Sequence, residues 1–165
     1  LAKNIELPFE LKRKPPDRER INKLLDRVGL AGFESKMPRE LSGGMQQRAS
    51  IVRSLSVNPS MLLMDEPFGA LDEITRNKLD TDLLELWRKT GLTVVFVTHS
   101  ISEAVFLSSR VIMMAARPGR VVEDLKVDLP YPRDEDSRTS PEFNALVRLL
   151  HQQLMAASVS DTEVH

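Results

Sequence analysis

The chain has 165 residues, with 41% hydrophobic and 28% charged positions, values ordinary for a soluble globular domain or one domain plus a piece of another. Lysine plus arginine (23) and aspartate plus glutamate (24) nearly cancel, so bulk charge points to neither nucleic acid nor an anionic membrane. The absence of cysteine excludes a disulfide framework and thiolate metal sites and fits a reducing cytoplasm; no apolar run approaches the roughly 18 to 20 residues needed to span a bilayer, and no signal peptide is visible.

In chain order, residues 1 to 14 read as an opening strand or loop interrupted by Pro8 and followed by a basic cluster. The chain starts at Leu1 and its first methionine is Met37, which suggests a truncated reading frame. Pro15-Pro16-Asp17 has the chemistry of a helix start, and Ile21, Leu24, Leu25 and Val28 then recur at helical spacing up to a stop at Gly29. Ser42-Gly43-Gly44 opens a second helix whose apolar positions are Met45, Ala49, Ile51, Val52 and Leu55 and which ends before Asn58-Pro59.

The pattern then changes. Met61 to Met64 and Thr93 to Thr98 are short continuous apolar or β-branched runs, the pattern of parallel strands buried on both faces. Val111 to Met114 is a third run, and Arg120 to Leu125 a candidate fourth. Between the first two, residues 73 to 90 predict a helix stopped at Gly91, and Ser100 with Glu103 has the spacing of a capping box ahead of a helix to Leu107. Strand, helix, strand, helix, strand is the order of an α/β domain. Pro130 to Thr139 reads as a Pro- and charge-rich linker, and Ser140-Pro141-Glu142 opens a last helix through about Met155. Its Phe143, Leu146, Val147, Leu149, Leu150 and Leu154 form an apolar stripe suited to core packing.

Four segments carry candidate chemistry. Ser42-Gly43-Gly44 at a helix start offers backbone N–H groups and a hydroxyl to phosphate oxygens, or is simply an N-cap with a glycine turn. The strand ending in Asp65-Glu66 sets two carboxylates at the edge of a parallel sheet, one placed beside a nucleotide's Mg²⁺ and the next placed to polarise a water; a solvated strand end is the alternative. Asp72 follows Gly69-Ala70-Leu71 and by itself is a helix cap. His99 stands after a buried strand, where α/β ligands bind; His151 and His165 lack that context.

Taken in this order, the four segments resemble one family, the nucleotide-binding subunits of ABC transporters. LSGGMQQR (Leu41 to Arg48) resembles the family signature, MLLMDEP (Met61 to Pro67) its Walker B strand with the catalytic glutamate, ALD (Ala70 to Asp72) its D-loop, and His99 its switch histidine. The resemblance runs from about residue 1 to 126, and the text from Phe96 to Pro130 is similar to the nitrate/sulfonate/taurine-type importers.

The resemblance implies an α/β fold: a partial P-loop NTPase core with a mostly parallel sheet plus the helical signature subdomain. It implies a division into residues 1–58 (signature-bearing helical subdomain), 59–128 (C-terminal part of the core) and 129–165 (linker and C-terminal helix). It also implies a head-to-tail dimer of ATP-binding subunits in which Ser42, Gly43, Gly44 and Gln46 contact ATP held by the partner. Asp65 assists Mg²⁺ through water, Glu66 is the general base, His99 contacts the γ-phosphate, and Asp72 links the two sites.

The implied cofactors are ATP and Mg²⁺. The implied partners are a second ATP-binding subunit, transmembrane permease subunits and, indirectly, a periplasmic or lipid-anchored solute-binding protein, with no nucleic acid. The implied location is peripheral, on the cytoplasmic face of the plasma membrane.

The departure from the family is that no G-x-x-x-x-G-K-[ST] occurs among the seven glycines. An isolated chain without that lysine is expected to be inactive and marginally stable. Two other readings stay open: a signature-donating, non-catalytic partner of a full-length subunit, and an ABC ATPase with no transporter.

Overall fold

The computed structural model describes residues 1–69, 71–116 and 119–162. The chain divides into two compact units, Leu1–Val97 and Thr98–His165. Ala70 of the D-loop-like segment, Arg117 and Pro118 of the run after the third strand, and the last three residues lie outside the described residues.

The first unit begins with helix α1 (Ala2–Leu11), where the sequence predicts a strand or loop. Ile5 and Phe9, one helical turn apart, are both buried and pack the helix against α3 (Gly43–Ser56). Pro8 removes one N–H from the ladder, a local cost that the burial of this apolar pair offsets.

Helix α2 (Arg18–Arg27) starts after Pro15-Pro16-Asp17 instead of within it, because Asp17 is its N-cap and accepts from the Arg20 N–H at 3.0 Å. α2 and α3 are clamped at both ends by arginines. Arg20 Nε and Nη2 donate to the Leu55 carbonyl near the end of α3, while Arg48 Nη1 donates at 2.9 Å to the Val28 carbonyl that ends α2. Each guanidinium thereby meets a carbonyl at the negative end of the other helix.

Strand β1 (Met61–Asp65) pairs in parallel with β2 (Thr93–Val97), in the register Leu63 to Val95 and Asp65 to Val97. The 18-residue helix α4 (Glu73–Thr90) connects them with the predicted boundaries, capped by Asp72 and stopped at Gly91 in the left-handed region at φ 63°. The expectation of strands buried on both faces is corrected. Leu62 and Met64 are buried, but Leu63 on the opposite face is 72% exposed and its partner Val95 is 47% exposed. Successive strand residues alternate faces, and within this unit only one face is covered.

The second unit contains α5 (Ile101–Leu107), β3 (Arg110–Ala115), β4 (Arg120–Lys126), α6 (Glu135–Thr139) and α7 (Pro141–Thr162). β3 and β4 form an antiparallel pair with an irregularity between Met113 and Met114. α7 runs well past the expected Met155, and Phe143 and Leu150 from its apolar stripe are buried. The segment expected as a linker holds α6, with Asp134 and Ser137 capping each other reciprocally. It also holds a buried arginine: Arg133 Nη1 donates to the Val105, Phe106 and Ser108 carbonyls at the end of α5, and Nη2 to the Leu129 carbonyl.

Candidate nucleotide site

In the first unit, Ser42 is the N-cap of α3, its Oγ accepting from the Met45 N–H at 3.3 Å. The first ladder bond runs from the Gln46 N–H to the Ser42 carbonyl, so the Gly43 and Gly44 N–H groups lie in the turn where a helix leaves donors for an outside acceptor. Ser42 and Gly43 are exposed, and Gly44 is buried. The glycines also permit close packing. A Cβ at Gly43 would meet Leu71 Cδ2 at 3.4 Å, and one at Gly44 would meet Thr75 Cγ2 at 3.3 Å. The start of α3 is therefore set directly against the start of α4.

Gln46, expected at the nucleotide, turns its side-chain amide backwards. Its Nε2 donates to the Pro38 and Leu41 carbonyls, both at 3.1 Å, and so holds the short 3₁₀ turn Pro38–Glu40 and the residue before Ser42. That turn is closed from its own side by the Met37 N–H, which donates to Glu40 Oε2 at 2.8 Å. This bond and the Lys36 ammonium keep the Glu40 carboxyl below the ordinary carboxylate range.

Asp65 ends β1 and is exposed. Glu66 follows in the left-handed region at φ 43°, a conformation that non-glycine residues adopt only when their surroundings hold them there. Its N–H donates to the Val97 carbonyl at 2.8 Å, which anchors the residue to the end of β2, and its carbonyl accepts from the Gly69 N–H. The turn thus exposes Glu66 at the carboxyl edge of the parallel pair. A Cβ at Gly69 would lie 3.5 Å from Glu66 Oε2, in ordinary contact with that carboxylate.

The loop after Glu66 is fixed from below and from the side. Phe68 is buried, with its ring 5.9 Å from that of Phe96 on β2. Arg76, one turn into α4, reaches back so that Nη2 donates to the Leu71 carbonyl at 2.8 Å and Nε to that of Phe68 at 3.4 Å. Asp72 Oδ1 accepts from the Thr75 N–H at 2.9 Å, as the capping reading predicts. The amide and hydroxyl of Thr75 hold the Asp72 carboxyl below its ordinary range.

Ser42, Gly43 and Gly44 are thus brought against the α4 turn that Asp72 caps, and Asp65 and Glu66 lie at the strand edge of the same unit. His99 belongs to the second unit, exposed between Thr98 and Ser100. Ser100 Oγ accepts from the Glu103 N–H, but the Glu103 carboxyl does not return to Ser100 as a full capping box requires; it accepts from the Thr98 hydroxyl instead. Among the described residues no group of three or more His, Asp or Glu side chains could hold a metal ion, and no helix is long and apolar enough to cross a membrane.

Sequence reasoning missed Arg76, the backward turn of Gln46, and the Thr98–Glu103 contact. The one available signal was spacing: Arg76 stands four residues after Asp72, and Glu103 five after Thr98.

Comparison with known proteins identifies the family. The profile of the family described as ABC transporter matches residues 2–69, which include Ser42 to Arg48 and Asp65-Glu66. An α/β domain with this signature helix and this strand edge is a partial P-loop NTPase. An uncharacterized ABC transporter ATP-binding protein of Methanocaldococcus jannaschii is 54% identical over 146 residues, covering 87% of this chain and 53% of that protein. A putative ATP-binding protein of Brucella abortus is 52% identical over 129 residues, covering 78% and 50%. The aliphatic sulfonates import ATP-binding protein SsuB of Bacillus licheniformis is 46% identical over 146 residues, covering 88% and 56%. The chain belongs to the ABC transporter ATP-binding family, and it spans roughly half the length of these curated relatives.

Proposed function

We propose that these residues are the signature and catalytic-carboxylate part of an ATP-hydrolysing importer subunit, one that couples ATP hydrolysis to uptake of a sulfonate or similar small anionic solute. The observation that carries the reading is Glu66, held in the left-handed region at the carboxyl end of a parallel strand, beside a glycine and exposed. The similarity to the Bacillus licheniformis and Bacillus cereus sulfonate-import proteins supports the solute class.

In this reading Ser42 Oγ and the Gly43 and Gly44 N–H groups bind phosphate oxygens of ATP held by a second ATP-binding subunit in a head-to-tail dimer. Asp72, at the adjoining helix start, links the two sites. Glu66 accepts a proton from the attacking water, and His99 donates a hydrogen bond to the γ-phosphate. Gln46 supports the signature turn through its carbonyl contacts, in addition to any contact with the nucleotide.

A single carboxylate, Asp65, suits Mg²⁺, which keeps most of its waters and takes its other ligands from the nucleotide phosphates. When bound, the ion neutralises phosphate charge. The chain's own contribution is placement of donors and of one base, which is what phosphoryl transfer requires. The subunit binds permease subunits at the cytoplasmic face of the plasma membrane, and a solute-binding protein acts with them from the other side.

The 165 residues contain no G-x-x-x-x-G-K-[ST], and we propose that alone they do not turn over ATP. Phosphate release from Mg-ATP is therefore measured for the isolated chain and for the same residues joined to a P-loop-bearing segment. The expected result is no release from the chain alone. In the joined protein, Glu66→Gln should slow turnover by roughly 10²-fold or more while nucleotide binding persists. Turnover by the isolated chain, or a Glu66→Gln variant as fast as the parent, would overturn the assignment.

A further inference from the structure

In the second unit Glu103 is a buried carboxyl group, only 4% exposed, although it stands in the first turn of a short helix where such a side chain ordinarily reaches solvent. Its Oε2 accepts from the Thr98 hydroxyl, and its Oε1 is buried with no hydrogen-bond partner among the described residues. The Thr98 Oγ1 is in turn the acceptor for the Ser100 N–H at 2.9 Å. Ser100 Oγ accepts from the Glu103 N–H at 3.2 Å and closes the circuit. Three side chains and two backbone amides thus form one ring of hydrogen bonds.

Between Thr98 and Ser100, both held by this ring, stands His99, which is exposed. Burying a carboxyl group is costly unless it is hydrogen-bonded, so its placement here needs a return in structure. The ring supplies one: it leaves the backbone on either side of His99 with little freedom and so fixes where the imidazole is presented. A capping box alone would cap the helix from Ser100 and leave the Thr98–His99 peptide unrestrained.

We propose that Thr98 and Glu103 are positioning residues for His99, the Thr98 hydroxyl acting as the hinge pin and the buried Glu103 carboxyl as its anchor. The inference rests on the reading of His99 as a γ-phosphate contact, and it extends that reading to two residues that touch no substrate.

The test uses the full 165-residue chain labelled with ¹³C and ¹⁵N in histidine and in backbone amides. His99 is one of three histidines, and its ring signals are identified by their loss in His99→Gln. Thr98→Val keeps the shape of the side chain and removes the hydroxyl; Thr98→Ser keeps the hydroxyl; Glu103→Gln keeps an acceptor; Glu103→Ala removes it.

The expected outcome is that Thr98→Val and Glu103→Ala shift the His99 ring signals and speed exchange of the Ser100 amide by roughly fivefold to tenfold. Signals of His151, on α7, should stay in place, and Thr98→Ser and Glu103→Gln should restore most of the parent pattern. Unmoved His99 signals and an unchanged Ser100 amide in Thr98→Val would overturn the proposal. So would equal shifts at His99 and His151, which report general loosening; should Glu103→Ala fail to fold, Thr98→Val still decides. A separate arm compares His99→Gln with the parent for phosphate release in the P-loop-joined protein. Unchanged release there would refute the catalytic reading of His99, whereas the ring signals judge the positioning on their own.

Discussion

Replacing Gly44 by alanine puts a methyl group on the face of α3 that packs against α4, and the structure fixes the sign of the result. The new Cβ would lie 3.3 Å from Thr75 Cγ2 and 3.9 Å from Leu79 Cδ1. Carbon pairs are comfortable at about 3.5–4.0 Å, so the Leu79 contact is neutral and the Thr75 contact is short by a few tenths of an ångström. Thr75 cannot easily yield, because a β-branched side chain has one or two preferred rotamers in a helix and its amide and hydroxyl are both engaged by Asp72.

Overpacking of this kind costs about 1–3 kcal/mol. Alanine recovers up to about 1 kcal/mol of helix propensity, and less so close to the helix start, where Gly44 is the second residue. The net expectation is a loss of roughly 1 kcal/mol. Urea unfolding followed through Trp87, the single tryptophan and itself on α4, measures it. Thr75→Ser removes the offending methyl and keeps the hydroxyl, so the double variant should recover about the whole loss. A Gly44→Ala chain as stable as its parent, or a coupling below about 0.3 kcal/mol in the double-mutant cycle, would refute the packing account.

Asp72 gains its interactions as the charged form, its folded pKa being lowered by the Thr75 amide and hydroxyl, so its contribution is present above the ordinary aspartate value of about 3.9 and is lost as pH falls through the lower folded value. Asp72→Asn keeps a capping oxygen without titrating, so the melting-temperature gap between parent and variant should hold steady from pH 7 to about pH 4 and shrink only as pH falls further. Asp82 shows the opposite sign: burial raises its pKa against the pull of Arg48 and Lys78, so its charged form destabilises the fold as pH rises through the raised value. Asp82→Asn should stabilise the chain at pH 7 and lose that advantage at pH 4, as read by thermal unfolding. Arg133→Met leaves four buried or half-buried carbonyls without their donor and should cost about 3 kcal/mol, with Arg133→Lys rescuing little because an ammonium cannot reproduce the fork; urea midpoints of the second unit check both.

What the sequence disclosed and what it hid divide along a physical line. α4 was legible to the residue because both of its ends are written locally, in the Asp72 cap and in a glycine free to take the left-handed conformation at Gly91. The parallel pair was legible from two apolar runs separated by a helix. α1 was not: Pro8 reads as a breaker, and only the burial of Ile5 and Phe9 against another helix overrides it. The exposure of Leu63 and Val95 was equally hidden, since an apolar run shows that a strand is suited to two covered faces and not how many are covered within these residues. The linker reading failed at Arg133 for a related reason: the side chain that pins the segment is a charged one, whose burial depends on carbonyls more than twenty residues away.

The candidate site shows the same division. Ser42, Asp72 and Ser100 each cap a helix, and Glu66 takes a left-handed turn at the end of a strand, so the motif residues are those whose local chemistry is visible in sequence. Arg76, Gln46 and Glu103 hold those turns from outside by bonds to carbonyls or to a hydroxyl, and such bonds exist only after the chain has folded back. The distinction has a consequence for mutational work on the proposed chemistry. A reaction that depends on placing donors and one base around a phosphate is as sensitive to the supporting bonds as to the groups themselves, because a displacement of about 1 Å costs on the order of 10²-fold in rate. Loss of activity at Arg76 or Gln46 would therefore not make either a phosphate ligand. Only the pattern of rescue separates the two roles: a residue holding a turn can be replaced by another donor of similar reach, whereas the proposed base, Glu66, cannot be replaced by its own amide.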